Sequence, residues 1–565
     1  MTALDWLVLI GTLVGIAAYG LYKTRGASDI GEYFRGGNEL RWPTVGLSIM
    51  ATQASAITFL STPGQAYEDG LRFVQFYFGL PLAMIVISAV FVPIYFKLKV
   101  YTAYEYLEHR FDVRLRYLGA ILFLIQRGLA TGITIYAPAI ILSTLMGWSL
   151  QATNLGLGAG VILYTVLGGT KAVAQTQKQQ MVVMLLGMVL AVVLVVVRLP
   201  EHISVGNALH LAGALGKMNA VSFDLDPSTR YTFWSGITGG FFLALSYFGT
   251  DQSQVQRYLS GRSVAESRLG LVFNGILKVP MQLVILMSGV MVFVFYLFTQ
   301  PPIFFNKPAL DKARNTEHAA SLEALDARYD AAFATQKQAA NAYVDALEAG
   351  GDAAREKAVL QGAASAVTDV RKEAKALIKA AVPNAETKDT DYVFLTFVLN
   401  YVPPGLVGLL IAVIFCAAMS STSSELAALG STTTLDLYRR IRKQQPSGER
   451  DVLISKLFTG LWGCVAVGFA GFASLLDNLI EAVNILGSIF YGTVLGIFLV
   501  GFFVRHVQAT PVLIAALIAQ ATVIALYFST EIGFLWFNVI GSGLVVVISL
   551  LLQLFVRATT TSVPS

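Results

Sequence analysis

Apolar residues run along this chain in blocks long enough to cross the ~30 Å hydrocarbon layer of a bilayer. They fall at 4–23, 43–67, 73–96, 117–146, 150–169, 180–199, 232–256, 269–299, 404–437, 454–476, 482–504, 509–529 and 532–556. The pattern predicts an all-α polytopic membrane protein of about thirteen helices. Between the eighth and ninth blocks the pattern changes: residues 301–392 are rich in Ala, Glu, Lys and Asp and hold no run able to span. Here Leu322, Leu325, Tyr329 and Phe333 follow helical spacing, and Leu360, Ala363, Val367, Val370, Ala374 and Leu377 follow a 3-4 repeat. Gly350 and Gly351 separate the two stretches, so an antiparallel helical hairpin standing outside the membrane is expected, as a cap or docking surface. The expected organisation is 1–300 (helices one to eight), 301–392 (extracytoplasmic hairpin) and 393–565 (helices nine to thirteen and a short cytoplasmic tail).

Composition agrees with the apolar blocks. The chain is 55% hydrophobic and 13% charged, where a soluble domain carries about 25% charge. Cys416 and Cys464 both lie in apolar blocks, and the histidines are scattered without ligand spacing. No metal site of that kind, nucleophile–base pair or nucleic-acid motif is visible, so an enzyme is not expected. Basic residues outside the hairpin gather in alternate loops. If residue 1 lies outside, the short outer loops hold only Arg72, Arg198, Lys217 and Arg230, while inner segments hold most of the rest. By the positive-inside rule the N-terminus is outside and the C-terminus inside. The first block lacks a preceding basic stretch and is followed by Lys23 and Arg25, which argues for a retained helix over a cleaved signal. Compact loops suggest the inner (plasma) membrane of a bacterium, with the chain working as a monomer in the lipid bilayer.

Two blocks carry interruptions that a passive span would not need. In Ser48–Phe59, Thr52, Gln53, Ser55 and Thr58 put polar groups at mid-membrane depth, ahead of Pro63 and Gly64. In Ser246–Gln252 a polar run follows Gly239 and Gly240. These are the second and seventh helices, and each opens a five-helix group of opposite orientation. Paired interruptions of this kind point to an inverted-repeat transporter with its site near the midplane; close packing through small residues is the plain alternative. The ninth block adds the hydroxyl run Ser420-Ser421-Thr422-Ser423-Ser424, ending at Glu425. Such a run is often helix–helix glue. Set against the carbonyls of an unwound segment, its hydroxyls make a neutral oxygen cage suited to sodium.

These stretches together resemble the sodium:solute symporter family, which includes the sodium/glucose and bacterial sialic acid cotransporters. The likeness rests on Asp29–Gly37, Ser48–Phe59, Tyr101–Phe111, Thr250–Arg257 and the serine run closed by Leu435-Asp436-Leu437-Tyr438. It implies a LeuT-type five-plus-five core and one sodium held by backbone oxygens of Ala51, Ala54 and Ala417 with the hydroxyls of Ser420 and Ser421. In some members a second sodium uses the next serine pair, here Ser423 and Ser424, with an Asp. Gln177 stands in that place and Lys178 follows it, which counts against a second ion and predicts one sodium per solute.

By the same resemblance the solute contacts Gln53, Ser55 and Thr58, with Tyr247 closing from inside and Phe76 from outside. Asn484 falls where sugar-transporting relatives have a sugar-binding amide, and Lys278 matches a lysine of those relatives. Tyr77 replaces their acidic sugar ligand and Leu80 its neighbouring Ser. Ala130 replaces the arginine that takes the sialic acid carboxylate, but Arg127 lies one turn away. Ionisable residues inside a membrane are functional candidates by default, so Arg127 and Lys278 both qualify; the plain alternatives are a helix cap or snorkelling for Arg127 and buried carbonyl partners for Lys278. Asp251 is expected to organise the inner end of its helix. The expected function is sodium-driven uptake of a small polar solute, a sugar or sugar derivative first. A proton-coupled or organic-acid or amino-acid carrier, and a transporter-like solute sensor, stand as alternatives.

Overall fold

The protein's structure, a computed structural model, describes residues 1–23, 39–350, 352–383, 389–442, 448–472 and 479–556. The Asp29–Gly37 stretch lies outside them. Every expected apolar block that falls on described residues is helical. Nine helical stretches among those residues are long and apolar enough to cross a membrane by length and composition.

The labels used below are α1 (Ala3–Lys23), α2 (Trp42–Gln53), α3 (Ala56–Asp69), α4 (Val113–Met146), α5 (Leu150–Val197), α6 (Gly240–Thr250), α7 (Gln252–Leu259) and α8 (Val264–Phe298). They continue with α9 (Ala319–Glu348), α10 (Ala354–Ala381), α11 (Thr390–Tyr401), α12 (Leu406–Thr432), α13 (Gly448–Ala470), α14 (Leu479–Phe503), α15 (Ala509–Ser529) and α16 (Leu535–Gln553). Between α3 and α4 the chain is helical in shorter pieces, including a 3-10 turn at Gly70–Tyr77 and a π turn at Ile87–Phe91.

Two spans were expected at 150–169 and 180–199, yet α5 runs unbroken by hydrogen bonding from Leu150 to Val197. A straight helix would separate Tyr164 and Thr176 by about 18 Å along its axis. Their hydroxyls are instead 2.5 Å apart, so the chain folds back between them. The halves also pack on different partners. A Cβ on Gly158 would meet Val467 of α13, and one on Gly187 would meet Val413 of α12.

α12 sits at the centre, its buried face running from Val407 to Thr432, and α2, α4 and α5 pack around it. Some of these approaches leave no room for a side chain. A Cβ on Gly64 would fall 1.9 Å from the Thr390 carbonyl of α11, which fixes the second half of the broken helix against its neighbour. Arg116, counted from the sequence as an inner-loop charge, is buried. It pairs with Asp436 at 2.7 Å and Glu108 at 2.7 Å, and Thr102 donates to Asp436 at 2.7 Å. Arg257, counted the same way, is 1% exposed.

The region between the two membrane parts forms the helices α9 and α10, which pack along each other and turn at Gly350 with φ +69°. Their buried faces carry Leu322, Leu325, Tyr329 and Phe333 on one side and Leu360, Val367, Val370, Ala374 and Ile378 on the other. The second stripe ends on Ile378, with Leu377 only half-buried. Tyr329 Oη donates to Pro301 O at 3.1 Å and Gln361 Nε2 to Ala214 O at 2.8 Å, tying the pair to the helical body.

Candidate functional site

The first break lies between α2 and α3. Ala54 leaves the helix at φ −81°, ψ 79°, and Ser55 is extended at φ −78°, ψ 172° before α3 begins. Ala54 N still donates to Met50 O at 2.8 Å and Thr58 N to Ser55 O at 3.0 Å, so the interruption spans barely one turn. Ending a helix frees backbone carbonyls, which membrane interiors tolerate only where protein or a polar cavity meets them.

What meets this break is the hydroxyl face of α12. Ser420 Oγ donates to Ala51 O at 2.8 Å, joining two of the sodium ligands implied by the sequence across the two helices. Ser421 Oγ turns onto its own helix, donating to Ala417 O at 2.9 Å. Ala51, Ala54, Ala417, Ser420 and Ser421 are all fully buried. The donor set is hard and neutral, carbonyl and hydroxyl oxygen only, which suits an alkali cation. An ion arriving there would draw the Ser420 and Ser421 lone pairs inward as their hydroxyl protons turn away.

One turn further along, an amide fills the space between the same helices. Gln177 Nε2 lies 2.6 Å from Ser424 Oγ, 3.1 Å from Thr52 Oγ1 and 3.1 Å from Ser420 O, while its Oε1 accepts from Ser48 Oγ at 2.5 Å. Ser423 Oγ turns back to Ser420 O at 3.1 Å. The Gln177 NH₂ group thus donates into the oxygens that a cation would otherwise require.

Beside the first break is a cavity of about 90 Å³. Gln53, Ser55, Thr58, Phe76, Tyr77, Arg127, Tyr247 and Asn484 all line it. Lys278 does not: its Nζ is buried with no hydrogen-bond partner, 5.6 Å from the centre of the Tyr77 ring. The buried carbonyls foreseen as its partners do not reach it. Among the lining residues with no role assigned from sequence are Glu425 and Tyr491. Tyr491 lies seven residues after Asn484, two helical turns along one face of α14, and that spacing was the signal available.

Arg127 ties these groups together. It is 3% exposed. It donates to Asp251 Oδ2 through Nε at 3.1 Å and also through Nη2, to Glu425 Oε1 through Nη1 at 3.1 Å, and to Tyr491 Oη through Nη2 at 2.5 Å. The Tyr247 ring lies 5.2 Å from its guanidinium carbon, in cation–π range. Arg127 is therefore neither a snorkelling residue nor a helix cap; it is a buried cation matched by two carboxylates from separate helices. Such a group holds position because removing any partner strands a buried charge. Asp251 also organises the second break, accepting from Ser253 N at 2.9 Å and Ser253 Oγ at 2.6 Å. Glu425 Oε2 is buried and has no partner.

The profile of the sodium:solute symporter family matches residues 33–323 and 366–519. The chain is 37% identical to the human sodium/iodide cotransporter over 297 residues, covering 52% of this chain and 44% of that one. It is 27% identical to sodium-coupled monocarboxylate transporter 1 of Xenopus laevis over 521 residues, covering 91% of this chain and 70% of the relative. It thus spans less than half the length of the human protein. Among solved structures it resembles a substrate-bound, outward-open Na⁺-coupled sialic acid symporter, with a TM-score of 0.75 over 99% of both chains and 22% sequence identity. That likeness carries the fold alone, an all-helical LeuT-type core of two inverted five-helix repeats. Sodium is the coupling ion of the matched family, whose members are transporters and not enzymes. With its broken helices, hydroxyl helix and profile match taken together, the chain is a multi-pass membrane protein and belongs to the sodium:solute symporter family.

Proposed function

We propose that the protein is a symporter that moves one sodium ion together with one small organic anion of monocarboxylate size, by alternating access. The observation that carries this is Arg127, a buried guanidinium in the wall of a cavity beside the proposed sodium cage. A cavity of about 90 Å³ is far smaller than the hundreds of Å³ usual for larger ligands, which suits a compact solute. Two relatives with anions in their names, the iodide and monocarboxylate cotransporters, support the same reading. In this mechanism the solute carboxylate meets the Arg127 guanidinium from the cavity side, while Asp251 and Glu425 keep it oriented. Sodium on Ala51, Ala54, Ala417, Ser420 and Ser421 sits one helix turn away and offsets the charge that the anion adds.

A sugar is the second reading, favoured by Asn484 in the wall and by Gln53 Oε1, which is buried without a partner and could accept a hydroxyl. Stoichiometry separates the two. We hold the ratio at 1:1 because the Gln177 amide satisfies the oxygens a second cation would use. One sodium with a monoanion carries no net charge, so only the sodium gradient drives it, about tenfold accumulation for a tenfold gradient. With a neutral sugar the same ion also gains about 2.3 kcal/mol from ~100 mV. Added to about 1.4 kcal/mol for the gradient, that supports about 500-fold accumulation. The proposed setting is the inner membrane of a bacterium, N-terminus outside and C-terminus inside, as a monomer.

The test is labelled uptake into proteoliposomes with acetate, lactate, hexose and amino-acid pools, with and without an imposed potassium diffusion potential. The expected result is sodium-dependent uptake from a carboxylate pool that changes less than twofold with potential and is lost in Arg127→Gln. Uptake from the hexose pool that rises steeply with negative internal potential would replace the anion with a sugar.

A further inference from the structure

A cavity of about 680 Å³ lies away from the central site, between the α9–α10 hairpin and the helical body. Five cations line it, Lys217, Lys357, Arg371, Lys372 and Lys375, against one carboxylate, Glu68. Two of the five share one carboxylate, which offsets one of their two charges. Asp389 is 2.9 Å from Arg371 and 2.7 Å from Lys375. Burial alone would raise its carboxyl, but these two partners hold it below the ordinary carboxylate range, so it stays charged at neutral pH. Lys217 donates to the Glu68 carbonyl and lies over the Phe293 ring at 4.7 Å. Lys372 has only an exposed partner, Asp369 at 3.6 Å, and such surface pairs hold little. Lys357 is exposed on α10.

The other wall is aromatic: Tyr67, Phe293, Tyr296 and Tyr329. Tyr296 is 3% exposed, and its hydroxyl has no hydrogen-bond partner. A second cavity of about 440 Å³ shares Glu68, Lys217 and Asn219 with the first and continues to Arg72, Arg230, Tyr231 and Glu481. Tyr231 packs edge-on to Phe73 at 5.1 Å, and Phe73 stacks on Phe76 at 5.4 Å, which lines the central site. The two cavities therefore lead inward as far as the aromatic groups that roof the central site. Residues 324–365, which contribute Tyr329, Lys357 and Gln361 to the first cavity, fall outside the family profile match.

We propose that the hairpin cavity is a second binding site, for a small organic carboxylate with an apolar or aromatic body. It holds the anion by Lys217, Lys357 and Lys372, with aromatic faces around its body. The site collects the solute before it passes inward, since the excess of positive charge at the hairpin cavity raises the local concentration of its counter-ion. The anion reading of the central cavity gives this site its use, but binding here needs neither sodium nor Arg127.

The probe is 4-fluorobenzoate, followed by fluorine NMR on the full chain in zwitterionic nanodiscs without sodium. One saturable site per protein is expected. Lys357→Gln with Lys372→Gln weakens it at least tenfold, and Arg127→Gln less than twofold. The neutral 4-fluorobenzyl alcohol binds at least tenfold more weakly. Absence of a saturable site, indifference to the lysine pair, or loss in Arg127→Gln overturns the proposal. So does loss of the probe on adding phosphatidylglycerol to the discs, which would make the cavity a lipid-headgroup site. Failure of carboxylate uptake with this binding intact would instead count against the central anion reading alone.

Discussion

The two broken helices differ in what answers their freed backbone. At the first break, Ala51 O is met by the Ser420 hydroxyl at 2.8 Å, a group that can turn its proton away and present a lone pair to a cation. At the second, Gly249 O is taken by Tyr95 Oη at 2.7 Å and Thr250 O by Tyr104 Oη at 3.0 Å. The side chain of Gln252 is pinned between Ala103 N at 3.0 Å and Tyr101 O at 2.9 Å. Phenols lie around one break and serine hydroxyls around the other. A break in a membrane helix is therefore not in itself a site. The first is open to exchange with an ion, while the second is sealed by the segment 101–104 and serves to aim Asp251 at Arg127.

The sharpest way to break this comparison is to remove the exchangeable hydroxyls. Ser420→Ala with Ser421→Ala should lower sodium-dependent uptake at least 100-fold at a fixed solute concentration. Each substitution deletes one oxygen and leaves the helix itself intact, since Ala is the best helix former. Retained sodium dependence, measured as uptake against sodium concentration, would mean the ion sits elsewhere and the two breaks are alike.

A smaller effect is expected one turn along. Gln177→Asp withdraws the NH₂ group that donates to Ser424 Oγ, Thr52 Oγ1 and Ser420 O, and puts a carboxylate among those oxygens. The predicted gain is a second sodium: the Hill coefficient for sodium rises from about one towards two, and uptake of a monoanion becomes sensitive to membrane potential. An unchanged coefficient with intact uptake would show that the amide is only a helix–helix tie.

Much of this site could be read along the chain because its parts are local. Thr52, Gln53, Ser55 and Thr58 lie within seven residues, and the hydroxyl run within five; polar side chains in apolar blocks stand out whatever the tertiary structure. The partners of Arg127 did not stand out. Asp251, Glu425 and Tyr491 come from three helices far apart in sequence, and each alone has an ordinary explanation as a cap, an end charge or a core aromatic. Lys278 shows the converse. It satisfied the same general rule as Arg127 for an ionisable group inside a membrane, yet the Tyr77 ring stands beside its ammonium and the cavity does not reach it. Long-range packing decides such cases, and hydropathy carries no record of it. The fold-back within 150–197 could be read from the two apolar blocks it joins, whereas the helical hydrogen bonding across them could not.

The smallest expected effect tests the sealed break. Tyr95→Phe removes the hydroxyl from Gly249 O and leaves a buried carbonyl without a donor, which costs about 1–3 kcal/mol. That is a loss of stability, read as a lower midpoint in thermal unfolding of the purified protein. If the second break is structural, the sodium concentration for half-maximal uptake should move less than twofold, because no group near the ion has changed. The same substitution would raise that concentration several-fold if Gly249 O took part in binding the ion. Tyr104→Phe carries the argument one residue further, to Thr250 O, beside the Asp251 that orients Arg127. There the expected trace of function is in the solute and not the ion: a modest rise in the solute KM, as Asp251 loosens its aim, with sodium dependence held. A shift in sodium dependence from either phenol would erase the distinction between the breaks, since both would then be ligand sites built in the same way.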